Sequence, residues 1–167
     1  VYDHIRIDAD RSILVVARSV RERLAHHLKN YLFLTGSALR EMPHAAYWDL
    51  DAATDRLRIT TEVLPVAVSE EDFRLFRVRR GLALQGIDYD DPMLLNLNDP
   101  ELVSFTKGCY LGQEIIARVH YRGKPPLKLS VVSEANCPPE LREKMTSRIL
   151  DPDSGEVKGF VFLPTGL

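Results

Sequence analysis

Cysteine is scarce in this chain, with two residues in 167. Cys109 and Cys137 are too few for the disulfide framework of a small secreted domain. No other Cys or His pair stands near them at the spacing of a zinc finger. The sequence therefore predicts a reducing compartment such as the cytoplasm, and it predicts no metal site.

Long apolar runs and an excess of one charge are also lacking. No apolar stretch approaches the roughly 20 residues that span a bilayer, so we expect no membrane partner. The 22 basic and 24 acidic residues give a net charge of −2, and this balance gives no reason to expect direct contact with nucleic acid. The 45% hydrophobic content suffices for the core of one domain or of two small halves.

Short apolar runs alternate with amphipathic segments, which predicts an α+β fold. The spacing predicts strands over 2–6, 13–17, 37–42, 45–50, 56–63, 127–132, 146–150 and 156–162 and helices over 20–31, 70–80 and 113–121. Residues 82–106 are predicted to be an ordered loop, because they carry two Asp-Pro pairs and several leucines but little periodicity.

Two helix starts have capping residues. Ser19 with Glu22 predicts a capping box, and Ser69 with Asp72 predicts a second N-cap. Gly81 is placed to end the second helix in a left-handed conformation.

The most informative segment is the run Lys107-Gly108-Cys109-Tyr110-Leu111-Gly112-Gln113-Glu114. The Lys107 cation and the N-terminus of the following helix both favour the thiolate form of Cys109. Gln113 and Glu114 offer an amide and a carboxylate, which suit a heterocycle edge with both donors and acceptors, such as a pterin. Tyr110 can stack on such a ring.

Ordinary structural roles explain the same residues. A lone cysteine before a helix is commonly a small buried hydrophobe, Gln-Glu at a helix start commonly caps it, and a lysine is commonly solvated. His120 would lie about two helical turns beyond Gly112, which argues against a Cys-His catalytic pair.

Other residues have weaker signals. Arg77 belongs to a basic cluster with Arg74, Arg79 and Arg80, which is either a solvated helix face or a site for phosphate or polyglutamate. Tyr47 and Trp48 are predicted to lie in the core. Cys137, which precedes Pro138-Pro139, is predicted to be an exposed loop residue.

The run over 107–114, followed by Ala117-Arg118 and Arg122-Gly123, resembles the signature of the YgfZ family. Arg77-Val78 with Gly81 resembles the helix end that precedes this signature. The opening pattern over 2–6, together with the run over 13–18, resembles the family's middle strands, so the resemblance covers most of the chain.

The resemblance implies a core like that of the glycine-cleavage T-protein, with an antiparallel sheet and packed helices leading into a small C-terminal β-barrel. We expect the chain to be truncated at both ends. The domains would be a folate-binding part over 1–123 and the start of the barrel over 124–167. The T-protein has an acidic residue where this chain has Cys109, which favours the YgfZ side.

The family binds tetrahydrofolate and supports the assembly or repair of iron–sulfur cluster proteins, including a tRNA-modifying one. By resemblance, Cys109 would be the reactive thiol, and Lys107, Tyr110, Gln113, Glu114, Arg118 and Arg77 would bind the cofactor, with Arg118 bracing Glu114. Partners would be cluster proteins or assembly factors, the protein would be a monomer, and its compartment the cytoplasm or the mitochondrial matrix.

One departure from the family concerns the loop before the motif. A glutamate often stands two residues after the loop proline, but here Pro92 is followed by Met93-Leu94. Two other functions stay open beside that of a folate-binding accessory protein for iron–sulfur cluster enzymes. One is folate-dependent one-carbon transfer of the aminomethyltransferase type, and the other is a non-catalytic interaction module.

Overall fold

The computed structural model describes residues 3–49, 56–65, 68–90, 92–110 and 112–166. The chain forms two compact units, Val1–Ala67 and Val68–Leu167. Both combine helices with small antiparallel sheets, which confirms the α+β class. The functional division at residue 123 stays a prediction, and so does the T-protein-like core.

The described residues of unit 1 form two antiparallel strand pairs and one α-helix. Strands β1 (Asp3–Arg6) and β2 (Ser12–Val15) pair antiparallel. Helix α1 (Arg21–Thr35) follows a short 3-10 turn and ends at Gly36, whose φ is 67°. Strands β3 (Ala45–Asp49) and β4 (Arg56–Thr60) form the second antiparallel pair.

Four expectations for unit 1 were wrong. Ser19 lies inside the 3-10 turn, so α1 begins later with Val20 as its N-cap and without a side-chain cap. Helix α1 also continues to Thr35. The strand expected over 37–42 is irregular and exposed, because the segment pairs with no other strand among the described residues. Tyr47 and Trp48 are half-buried rather than core.

Unit 2 carries helices α2 (Glu70–Arg80) and α3 (Gln113–Arg122) and three strands, which are β5 (Leu127–Ser133), β6 (Thr146–Asp151) and β7 (Glu156–Pro164). The Ser69 Oγ accepts a hydrogen bond from the Asp72 N–H at 3.0 Å, and Gly81 ends α2 with a φ of 69°. Both predicted caps of α2 are therefore confirmed. The loop over 82–106, described except for residue 91, holds two 3-10 turns, Leu94–Leu97 and Pro100–Leu102.

The three strands of unit 2 form one antiparallel sheet in the order β5-β7-β6. Apolar side chains pack on both of its faces. One cluster joins α2 and the loop to the sheet through Val78, Leu97, Leu129, Ile149 and Phe160. The second contains Cys137, Met145 and Val161.

Cys137 was expected to be exposed, but only 2% of its surface is accessible. It packs against Met145, which directly precedes β6, and against Val161 of β7, so burial within unit 2 outweighs the local turn chemistry of Pro138-Pro139. The sheet is open within the described residues, and the barrel remains a prediction. None of the helices in the described ranges combines the length and apolar composition that crossing a membrane requires.

Candidate functional site

Gly112 sets the turn between the motif loop and α3. Its φ of 82° lies in the left-handed region, which glycine adopts without the strain that a Cβ would add. The Gln113 N–H donates to the Tyr110 carbonyl at 3.2 Å, and the Ile116 N–H donates to the Gly112 carbonyl at 3.2 Å. The turn therefore places Gln113 and Glu114 in the first turn of the helix, as the sequence predicted.

An aromatic cluster holds the loop against the far end of α3. The Phe105 ring stacks on the His120 ring with centroids 3.9 Å apart, and it meets the Tyr121 ring edge-on at 6.0 Å. Ile116, which belongs to α3, is buried. The loop that carries Cys109 thus connects two anchored points, the Phe105 stack and the Gly112 turn.

Cys109 is exposed and free. The alternative of a small buried hydrophobe is therefore wrong for this residue. Lys107 stands two residues before Cys109 in the chain. Its Nζ lies 4.7 Å from the centroid of the Tyr110 ring, which is a cation–π contact. Lys107 therefore has a defined position beside the thiol-bearing segment.

Glu114 and Arg118 form an ion pair one helical turn apart. The Arg118 Nη2 lies 3.3 Å from the Glu114 Oε1, and the side chains are 69% and 86% exposed. Such an exposed pair contributes little to stability, so both groups are available to a ligand. They line a shallow depression of about 450 Å³ together with Ala117, Tyr121 and Arg122.

Tyr110, which lies on the motif loop and does not line this depression, carries an unsatisfied polar atom. Its hydroxyl is buried and has no hydrogen-bond partner in the described part of the chain. Buried hydroxyls usually have a partner, so this one marks a place where a ligand group or a water would be stabilised. With the half-buried Gln113 and the exposed Glu114, the loop offers a donor, a mixed amide and an acceptor.

Arg77 lies elsewhere in unit 2, at the end of α2. Its guanidinium is buried and donates to the Asp88 carboxylate at 2.7 Å, to the Leu82 carbonyl at 3.1 Å and to the Ser147 hydroxyl at 2.9 Å. The solvated helix face expected for this residue is therefore wrong. Its contact with a cofactor remains a prediction.

Sequence reasoning missed Phe105 and Tyr121, whose rings connect the loop to the helix. It also missed Asp88, which accepts hydrogen bonds from Thr146 and Ser147 as well as from Arg77. An isolated aspartate in an aperiodic loop gives no signal, because its partners lie up to 59 residues away.

The chain is similar to several curated proteins over part of its length. It is 35% identical over 78 residues to the tRNA-modifying protein YgfZ of Colwellia psychrerythraea, which covers 45% of this chain and 22% of that protein. It is 48% identical over 42 residues to the YgfZ protein of Vibrio atlanticus, covering 25% and 13%. It is 39% identical over 57 residues to the mitochondrial iron–sulfur cluster assembly factor IBA57 of Mus musculus, covering 32% and 16%.

The matched segments thus span about a fifth or less of these relatives' own lengths. No family model matches the chain, and no solved structure matches it.

Proposed function

We propose, from the premise that its matched segments make this chain a relative of the YgfZ family, that it acts in the assembly or repair of iron–sulfur cluster proteins. Cluster-dependent tRNA-modifying enzymes would be among its clients, and tetrahydrofolate would be its ligand. Two groups of relatives support this role, since some are named tRNA-modifying proteins and others iron–sulfur cluster assembly factors.

The observation that carries the proposal is the exposure of Cys109 on a loop anchored at both ends. A structural cysteine would be buried, as Cys137 is. An exposed thiol, two residues after Lys107 in the chain, can instead meet a client protein or a ligand.

The groups around the loop suit a pterin. The Gln113 amide can donate and accept, the Glu114 carboxylate accepts, and the buried Tyr110 hydroxyl lacks a partner within the described ranges. Arg118 would hold the Glu114 carboxylate in place, since the two are already 3.3 Å apart. When bound, tetrahydrofolate would supply a carrier for one-carbon units, and the role of this chain's residues would be to bind and orient it.

Calorimetric titration with tetrahydrofolate tests the ligand. We expect binding by the intact protein and a loss of at least about tenfold in affinity for Gln113→Ala and for Glu114→Ala, because each change removes one hydrogen-bonding partner of the pterin edge. Glu140→Ala is the matched control, since Glu140 is also an exposed glutamate at the start of a helical turn. No binding, or equal affinity in all variants, would remove the pterin assignment.

The thiol is tested separately from the ligand. Cys109→Ala should lower the activity of iron–sulfur enzymes in cells that depend on this protein, while Cys137→Ala, if it folds, should not. Full activity of Cys109→Ala would favour the interaction module, which the 66% exposure of Ile115 on α3 also supports. Turnover of a methylamine-type substrate with tetrahydrofolate would instead identify an aminomethyltransferase-type enzyme.

A further inference from the structure

The charge of this chain is distributed unevenly. Residues 107–128 contain five of the 22 Lys and Arg residues and one of the 24 Asp and Glu residues. The net charge of −2 for the whole chain therefore hides a basic segment centred on α3. A local field of this kind attracts anions even when the whole protein is slightly acidic.

The basic residues of α3 share one exposed face with an aromatic ring. Arg118, Tyr121 and Arg122 line the shallow depression along the helix. Tyr121 is 71% exposed, although its ring edge contacts Phe105 and His120. Those contacts fix the orientation of the ring, so little side-chain entropy is left to lose when a second flat group stacks on it.

Most of the cations on this face are not neutralised. Arg118 has only the exposed pair with Glu114, which water and salt screen. Arg122 and Lys124 are exposed and have no ion-pair partner in the parts of the chain that the structure describes. The depression is thus a positively charged surface with one oriented aromatic ring.

We propose that this face of α3 (Arg118, Tyr121, Arg122 and the adjacent Lys124) binds a single-stranded segment of nucleic acid. The two arginines and the lysine contact phosphates, and the Tyr121 ring stacks on a base. Single-stranded sites combine a cationic groove with aromatic rings in this way, because every base presents a flat π-face. An acidic peptide would use the cations alone and would leave the exposed ring without a function.

Binding of a fluorescent 12-nucleotide oligouridine to the purified chain tests the proposal by anisotropy. For three phosphate contacts we expect the logarithm of affinity to fall with the logarithm of salt concentration with a slope of about −2, at about 0.7 per contact. The double variant Arg118→Gln, Arg122→Gln should bring the slope to about −0.7, because one contact remains.

The ring is tested by two substitutions at one position. Tyr121→Leu keeps an apolar side chain against Phe105 but removes the π-face, so affinity should fall about fivefold or more. Tyr121→Phe keeps the ring and should bind as the parent does. If Tyr121→Leu loses its helical circular dichroism, the single variant Arg122→Gln carries the test, since the Arg122 side chain makes no hydrogen bond or ion pair among the described residues.

The matched charge control is Lys29→Gln, Arg40→Gln, which removes two exposed cations from unit 1. It should retain the affinity of the parent. Equal loss in this control would show unspecific attraction and overturn the proposal. So would the absence of binding at 20 mM salt, or equally tight binding of poly-glutamate, which would identify a carboxylate site. Failure of folate binding would leave these results unchanged, so the two proposals are separable.

Discussion

Arg77 and Asp88 form an ion pair of 2.7 Å between side chains that are 4% and 0% exposed. The pair connects the end of α2 to the loop that follows it. Through the Thr146 and Ser147 hydroxyls, which donate to the other oxygen of Asp88, it also reaches β6. A buried charge pair with this many hydrogen bonds fixes the position of α2 on the sheet.

Removing one member of this pair should destabilise unit 2 strongly. Asp88→Ala leaves the Arg77 cation buried and unpaired, and we expect a loss of about 3–5 kcal/mol in the free energy of unfolding. Glu114→Ala is the control, because it breaks an exposed pair worth at most about 1 kcal/mol. Urea denaturation measures both, and a similar small loss in the two variants would contradict a structural role for Asp88.

The free energy of unfolding of unit 2 should decrease at acidic pH, because the Asp151 carboxylate becomes protonated. A hydrogen bond from Arg79, and next one from Lys158, hold the pKa of the Asp151 carboxyl far below its usual range. Folding therefore favours the ionised form of Asp151. The contribution of this carboxylate to the stability of the folded state is fully present above the unfolded pKa of about 4, and it is lost as the pH falls below that value.

Urea midpoints between pH 7 and pH 3 should therefore fall less steeply for Asp151→Asn than for the parent. Asp153→Asn removes the second, 80% exposed partner of Arg79 and should keep most of the parent's acid dependence. Identical pH profiles for the parent and Asp151→Asn would show that another group governs the acid transition.

The sequence predicted best those features that are decided within a few residues. The Ser69 cap and the Gly81 helix end each depend on one backbone conformation and one nearby hydrogen bond. The Ser19 capping box was wrong because Ser19 lies inside a 3-10 turn, Arg18–Val20, which precedes the α-helix. Local signals thus located most of the helices and strands.

Burial was harder to predict, because it depends on contacts between distant segments. Cys137 has two prolines after it, which favour an exposed loop, but it packs against Met145 and Val161. Arg77 has the sequence context of a charged helix face, but Asp88 and Ser147 enclose it. In the candidate site the motif residues were predictable, whereas the Phe105 stack that anchors them was not.

The two thiols should differ in reactivity toward iodoacetamide. Cys109 is exposed and Cys137 is 2% exposed, so native alkylation should modify only Cys109 and denatured alkylation should modify both. Intact-mass measurement counts the adducts, and Cys109→Ser, which should gain none under native conditions, is the control. Rapid native labelling of both thiols would contradict the packing of Cys137 against Met145 and Val161.

Two glycines of the motif should respond differently to alanine. Gly112 has a φ of 82°, and a Cβ in the left-handed region costs about 1–2 kcal/mol. Gly108 lies outside that region, and a Cβ there would meet no atom within 4 Å, so Gly108→Ala is a matched control that should cost much less.

Urea denaturation should show this difference in stability between the two variants. Calorimetry with tetrahydrofolate should show weaker binding for Gly112→Ala alone, because the turn aligns Gln113 and Glu114. If Gly108→Ala were the more damaging change, space for a ligand beside Gly108, rather than the left-handed turn, would explain why the motif contains glycine.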